Sequence, residues 1–128
     1  MSKGLTIIEI IIAIFALSVG IIGVLQMFPV ALHHGELAKK YAVASYLSQA
    51  KLEELISYSY GDPPLSVGTN TTSTEGYQIE TTVNYVDPNN NLNTTTTDSG
   101  IKKIKVVVSW EEGGPQKSIG VSTLFGKR

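Results

Sequence analysis

Few side chains in this sequence have the type and spacing that would let them do chemistry together. Glu53 and Glu54 are adjacent, so on a helix they point in different directions and are predicted to be solvated surface charges. His33 and His34 are also adjacent, and no third ligand lies nearby at metal-binding spacing. The chain has no cysteine, Ser/His/Asp grouping, Gly-rich phosphate loop or zinc pattern. The sequence therefore predicts no enzyme, no metal site and no cofactor.

A polar segment late in the chain offers oxygen atoms that a cation could use. Its candidate ligands are Asp87, Asn89, Asn90, Asn91 and Asp98. Calcium prefers such oxygen ligands. The acidic side chains are few, however, and their spacing matches no defined calcium loop. We therefore predict no specific calcium site in this segment.

Basic residues near the C-terminus could form a positive patch. They are Lys102, Lys103, Lys105, Lys117, Lys127 and Arg128. The pattern favours a solvated sheet face or an edge strand guarded by lysine. Weak binding of an anionic polymer such as DNA is the alternative. The formal net charge of −1 gives no global basic field, so a nucleic-acid partner is not favoured.

The stretch from Leu5 to Leu25 organises the chain, because it holds 21 residues with Glu9 as its only charge. A helix of that length covers roughly the 30 Å hydrocarbon core of a bilayer. No small-residue cleavage site follows the run, so it does not fit a removable secretory signal. The basic Lys3 before it favours a cytoplasmic N-terminus. The run is predicted to be a membrane span, at least at first.

The residues Lys3-Gly4, followed by L-T-I-I-E-I-I-I-A-I, resemble the class III signal of type IV prepilins and pseudopilins. The resemblance extends from Lys3 to about Ile56. It implies that a prepilin peptidase cuts after Gly4 and leaves Leu5 as the N-methylated first residue. It also implies that Glu9 pairs with the Leu5 amine of a neighbouring subunit.

The middle of the apolar run contains small residues and is followed by a proline. Ala16 and Gly20 are spaced so that two helices could approach closely. Pro29 removes a backbone hydrogen bond, and with Gly20 and Gly23 it makes residues 20–29 the weakest part of the helix. This segment is either a simple kink at the membrane exit or, as the resemblance implies, a break that loosens when subunits pack.

The next stretch, residues 31–56, is predicted to be an amphipathic helix. Its apolar face comprises Leu37, Tyr41, Ala44, Leu47, Leu52 and Leu55. Prolines at positions 63 and 64 predict that the helix ends near Tyr58 to Gly61.

Three strands are predicted after a surface loop at residues 61–76. They are Tyr77–Tyr85, Lys103–Trp110 and Ile119–Phe125, each alternating between apolar and polar side chains. A hairpin at residues 111–116 joins the last two, and an Asn- and Thr-rich segment from Asp87 to Gly100 separates the first two. The predicted fold class is α+β: a long N-terminal hydrophobic and amphipathic helix packed on a small antiparallel sheet, as in pilins.

Four regions follow from this reading. Residues 1–4 are the leader peptide, 5–30 the membrane or filament-core half of the helix, 31–57 its amphipathic half, and 58–128 the loop and sheet forming a head domain.

The resemblance implies a structural subunit of a type IV pilus or a secretion pseudopilus. The expected partners are other pilin or pseudopilin subunits, the prepilin peptidase, the inner-membrane assembly platform and the membrane itself. The expected location is the bacterial inner membrane, then a cell-surface or periplasm-spanning filament. Major pilins often carry a disulfide, so the absence of cysteine favours a minor pilin or pseudopilin. A major pilin, or a single-span anchored binding protein that forms no filament, is the alternative.

Overall fold

The computed structural model describes Gly4 and residues 6–127, and it contains one long helix and five strands. Helix α1 spans Ile7–Ile56. The strands are β1 (Gly68–Thr74), β2 (Tyr77–Asp87), β3 (Asn93–Thr95), β4 (Ile101–Trp110) and β5 (Lys117–Gly126). The chain divides into an N-terminal unit, up to Lys39, and a C-terminal unit, from Lys40. The predicted α+β class, a long helix with a small antiparallel sheet, is confirmed.

The N-terminal unit contains residues 7–39 of α1, here named the exposed helix half. Its first turn closes on the carbonyl of Thr6, which accepts hydrogen bonds from the amides of Glu9 (3.0 Å) and Ile10 (3.2 Å). Every residue from Thr6 to Glu36 is exposed. The large apolar side chains from Ile7 to Leu32 are each 46% or more exposed. This half of the helix therefore buries nothing within its own unit.

The C-terminal unit contains the rest of α1, residues 40–56, here named the packed helix half. Ala44, Ser48 and Leu55 are buried, and Leu47 and Leu52 are partly buried against the core. These positions recur every three or four residues, which places them on one side of the helix. The predicted apolar face is therefore largely correct. Ser48 lies on it as well, with its hydroxyl satisfied by the carbonyl of Ser45 at 2.8 Å.

The helix ends slightly earlier than the prolines predicted, at Ile56 instead of near Tyr58 to Gly61. The hydroxyl of Ser57 donates to the carbonyl of Glu54 at 2.6 Å and satisfies one of the free carbonyls of the last turn. The prolines follow in a short 3-10 turn, Pro63–Leu65, whose Leu65 is fully buried.

The sheet is antiparallel, in the order β1-β2-β4-β5, with β3 paired to the far end of β2. In β4, alternate residues are buried, as expected for a strand with one face on a core. The helix and sheet share one hydrophobic core. Its buried members are Ala44, Leu55, Leu65, Ile79, Val83, Ile104, Val106, Val108 and Trp110.

The prediction of three strands was wrong, because the structure has five. Strand β1 lies in the predicted loop at 61–76, and β3 lies in the segment from Asp87 to Gly100. Neither strand has a buried residue, so neither has the apolar alternation by which a strand is found in a sequence. Both are held by backbone hydrogen bonds to β2. The hairpin predicted between β4 and β5 is confirmed.

Candidate assembly site

The exposed helix half is the largest uncovered apolar surface among the described residues. In that part of the chain, α1 is the single helix long and apolar enough to cross a membrane, judged by length and composition. A soluble surface rarely carries so large a continuous apolar area unless it binds lipid or another protein. The surface is therefore the first candidate for a functional site.

Glu9 is the one charged residue of the helix near its N-terminal end. It lies in the first turn of α1, where the free amide groups give the helix a partial positive charge that favours a carboxylate. Its side chain is exposed. The amine predicted to pair with it belongs to Leu5, which with Lys3 lies outside the described residues. Gly4, on the other side of the predicted cleavage site, is exposed.

Ala16 and Gly20 lie one turn apart and line a shallow groove on the helix. The groove is open along the helix surface and is also lined by Leu17, Ile21, Val24 and Leu25. A methyl group built on Gly20 would meet no described atom within 4 Å beyond its chain neighbours and the adjacent helical backbone, and the same holds for Gly23. Packing within the described chain therefore does not require glycine at either position. Close approach of a second helix would require a small residue there.

The predicted helix break at Gly20, Gly23 and Pro29 is not visible in this state of the chain. Residues 20–29 are α-helical throughout, and Pro29 lies inside the helix. A proline still leaves one carbonyl without its helical donor. The loosening of this segment on assembly therefore stays a prediction.

The C-terminal unit holds a cluster of polar side chains around Lys102, here named the lysine cluster: Tyr60, Tyr85, Asp98 and Lys102. Lys102 is 4% exposed. Its ammonium group donates to the carbonyls of Tyr60 (2.7 Å) and Leu65 (2.8 Å). It also lies 4.3 Å from the ring centre of Tyr60 and 5.6 Å from that of Tyr85. The prediction that Lys102 belongs to a solvated sheet face was therefore wrong.

The reason is that the Lys102 side chain bonds to the segment that follows α1. The segment after α1 carries backbone carbonyls that strand pairing does not satisfy, and a buried carbonyl without a donor is costly. The ammonium supplies donors to two of them and is itself stabilised by aromatic rings. Lys102 thus ties the segment at residues 60–65 to the sheet.

Tyr60 and Asp98 form a second link in the lysine cluster. The Tyr60 hydroxyl donates to a carboxylate oxygen of Asp98 at 2.5 Å, and that oxygen also accepts from the amide of Gly100 at 2.9 Å. Burial, followed by the bond to Asp98, raises the pKa of Tyr60. The bond from Tyr60 and then the amide of Gly100 lower the pKa of Asp98. Both shifts favour a neutral phenol donating to an ionised carboxylate.

Glu112 forms an ion-pair network in the β4–β5 hairpin of the same unit. Its carboxylate lies 3.1 Å from the ammonium of Lys40 and 3.5 Å from that of Lys117. Burial of the carboxyl group opposes its ionisation, but the two lysines together outweigh that effect and lower the pKa of Glu112. The network links the packed helix half to the hairpin.

The remaining predicted candidates do not come together as a site. His33 and His34 are exposed, with ring centres 6.3 Å apart. Among the described residues, no three potential His, Asp or Glu ligands lie close enough to hold a metal. Asp87 accepts a hydrogen bond from the amide of Asn89 at 2.8 Å, which closes a local turn.

The surface charges are also dispersed. Glu53 and Glu54 are exposed, and Glu54 pairs with Lys51 at 2.9 Å. Lys103 and Lys105 are exposed on the face of β4 opposite the core. Arg128 lies outside the described residues.

The sequence contained a signal for two features that were not predicted: the buried position of Lys102 and the tight turn between β1 and β2. Lys102 is two residues before Ile104, so the alternation of β4 already places it on the core face. Glu75-Gly76 joins β1 to β2 as a two-residue turn, with φ of 49° and 84°. Positive φ at both positions is the signature of a tight hairpin turn. The link between Tyr60 and Asp98, 38 residues apart, had no local signal.

No protein-family model matches the chain, and comparison with curated proteins and with solved structures likewise found no match. Its function therefore has to be inferred from its own residues and their geometry.

Proposed function

We propose that this protein is a structural subunit of a type IV pilus or a secretion pseudopilus. The chain enters the bacterial inner membrane as a precursor, with the exposed helix half in the bilayer. Prepilin peptidase cuts it after Gly4, and the new first residue, Leu5, is N-methylated. An assembly platform in the inner membrane then packs the exposed helix half against those of other subunits in a cell-surface or periplasm-spanning filament.

The observation that carries the proposal is the continuous exposure of apolar side chains from Ile7 to Leu32, together with a carboxylate in the first helical turn. Fully burying one such side chain stabilises a structure by about 1.5–3 kcal/mol. Lipid supplies that burial in the membrane, and neighbouring helices supply it in a filament. A helix that only anchors a domain needs the apolar side chains but has no use for Glu9.

Glu9 gives the proposal its mechanism. A carboxylate at the centre of a bilayer costs about 2.5–3.5 kcal/mol. Glu9 lies four residues after Leu5, which is about 6 Å along a helix, so it can stay near the interface while the subunit is in the membrane. In a filament core Glu9 no longer lies near the membrane interface, so its carboxylate needs a positive partner. The Leu5 amine of a neighbouring subunit is that partner.

A buried ion pair of this kind adds little net stability, yet removal of one partner leaves the other charge stranded. The pair therefore acts mainly on register: it fixes how far each subunit is displaced along its neighbour. Ala16 and Gly20 then allow the helices to approach closely at that register.

The test is Glu9→Ala in the full chain, expressed in its host. We expect membrane insertion and cleavage after Gly4 to be unchanged, because neither uses the carboxylate. Recovery in sheared filaments should fall at least tenfold. Mass spectrometry of the N-terminus and immunoblots of the membrane and filament fractions measure these outcomes.

Glu36→Ala is the matched control, since it removes an exposed carboxylate from the same helix. It should assemble like the unmodified protein. Normal recovery of Glu9→Ala in filaments would overturn the register role. If the unmodified protein keeps its intact Met1 and never enters the filament fraction, the chain is a single-span anchored protein instead.

The absence of cysteine leaves the sheet without a disulfide, which favours a minor pilin or pseudopilin over a major pilin. Quantitative mass spectrometry of purified filaments separates these, because a minor subunit is greatly outnumbered by the main one.

A further inference from the structure

Strand β1 is an open edge of the sheet that lacks the usual protection. Its sequence, G-T-N-T-T-S-T, contains no charge and no proline. Its pairing with β2 runs in unbroken register from Gly68–Val83 to Thr74–Tyr77, so it contains no bulge. Natural edge strands usually carry lysine, proline or a bulge, because an unprotected row of backbone groups pairs with other chains.

All seven residues of β1 are exposed. The strand therefore contributes no side chain to the core and is held in the sheet by its ladder to β2. Threonine is one of the better strand formers, so the sequence keeps the strand extended without burying it. These properties present an unbroken, uncharged row of hydrogen-bonding groups to solvent.

The opposite edge of the sheet is different. Strand β5 has Lys117 at its first residue and Lys127 directly after its last. In a pairing of two β5 edges, which run antiparallel, the lysines of one strand would lie near those of the other, and like charges across a strand pair are destabilising. Charge therefore disfavours pairing between two β5 edges.

Two β1 strands have no such conflict. With full antiparallel overlap, Thr71 faces Thr71, Asn70 faces Thr72, and Thr69 faces Ser73. Threonine pairs across strands are favourable. The charge that follows β1 in the chain, Glu75, lies beyond each strand end, so the two copies of Glu75 fall at opposite ends of the pair. Glu80 of β2 pairs with Thr71, and both β1 strands separate it from its copy in the second chain.

We propose that the β1 edge is a self-association site that pairs with β1 of a second copy of this chain about a two-fold axis. Thr71 lies on the axis, because that register uses all seven residues and any other leaves part of both edges unpaired. The association joins two five-stranded sheets into one continuous sheet. It does not depend on the proposed filament, since it involves the C-terminal unit alone.

Disulfide trapping tests the site, because the chain has no cysteine and hence no background. Thr71→Cys in the full chain, purified in detergent micelles, should form a covalent dimer under mild oxidation. Directly opposite residues of an antiparallel pair have Cα atoms about 4.5–5.5 Å apart, within disulfide range. Ser73→Cys is the matched control on the same face of the strand. In the proposed register the two Ser73 residues are offset by four positions, about 13 Å.

We expect at least five times more dimer from Thr71→Cys than from Ser73→Cys. The double variant Thr69→Cys/Ser73→Cys should restore the dimer, because those positions face each other. Unchanged Trp110 fluorescence shows that each variant keeps its fold.

Equal yields from the two single variants, or no dimer from any variant, would overturn the proposal. More dimer from Ser73→Cys/Ser118→Cys than from Thr71→Cys would also overturn it, since β1 would then pair with β5 of the second copy. Filament recovery in the host is scored separately, so the strand pairing and the proposed function can fail independently.

Discussion

The two halves of helix α1 have similar backbones and opposite surroundings. In the exposed helix half, residues 7–39, the large apolar side chains up to Leu32 are uncovered. In the packed helix half, residues 40–56, Ala44 and Leu55 are buried in a core shared with the sheet. The same helix is therefore covered by the chain's own core in one half and uncovered in the other.

This difference concerns the source of the packing that stabilises each half of the helix. Most helical stability in proteins comes from packing an apolar face, not from helix propensity. The packed half obtains that packing from its own sheet. In the proposed function the exposed half obtains it from lipid or from other subunits, so mutations in the two halves should have separable effects.

The strongest test of this separation is a pair of isoleucine truncations. Ile104→Ala removes a fully buried side chain from β4 and should lower the free energy of unfolding by about 2–5 kcal/mol. Ile14→Ala, at a side chain 58% exposed, should change it by less than about 0.5 kcal/mol. Trp110 is the single tryptophan and lies in the core, so its fluorescence during denaturant unfolding of the full chain in detergent reports this quantity.

A loss of stability from Ile14→Ala as large as that from Ile104→Ala would show that the two halves unfold as one unit. The two halves would then not differ in how they contribute to stability.

Lys102→Met should sharpen the comparison by showing that the C-terminal unit also depends on a buried charge. Methionine keeps much of the side-chain volume but leaves the carbonyls of Tyr60 and Leu65 without their donor. We expect a loss of about 1–3 kcal/mol, because an unsatisfied buried acceptor costs that order. Lys103→Met, its exposed neighbour, should be close to neutral. Equal effects of the two variants on denaturant unfolding would mean that the carbonyl bonds of Lys102 contribute nothing.

The smallest expected effect is a change in thermal stability at acidic pH. The pKa of Asp98 is lowered, first by the bond from Tyr60, so its contribution to stability is present above about pH 4 and is lost as the pH falls further. Asp98→Asn should therefore lower the Tm of the C-terminal unit at pH 7 and have a smaller effect near pH 3. A difference in Tm between the two proteins that stays constant from pH 7 to pH 3 would exclude this linkage.

The sequence predicted the parts of the fold that depend on periodic apolar burial. Ile104, Val106, Val108 and Trp110 alternate along β4, and that alternation identified both the strand and its core face. Likewise, the three- and four-residue spacing of the packed helix half identified the side that faces the sheet.

Features that depend on polar groups were harder to predict. Strand β1 has no apolar side chain, so its pairing with β2 could be inferred only from the turn that joins them. The position of Lys102 followed from alternation, but its partners did not, because the carbonyls of Tyr60 and Leu65 are 42 and 37 residues away. The proposed assembly residues Glu9, Ala16 and Gly20 were chosen from the sequence, and their proposed partner is another subunit.

The order of the strands also determines how the C-terminal unit can fold as it is made. Strands β1, β2, β4 and β5 are neighbours in the sheet in the same order as in the chain, so each new strand can add to one already in place. Such sequential pairing keeps contacts local and favours fast folding. The core, however, is completed late, because Ile119, Val121 and Phe125 of β5 pack against it. Until β5 pairs with it, β4 is an open edge whose alternating apolar residues are incompletely covered, which makes the growing chain prone to aggregate.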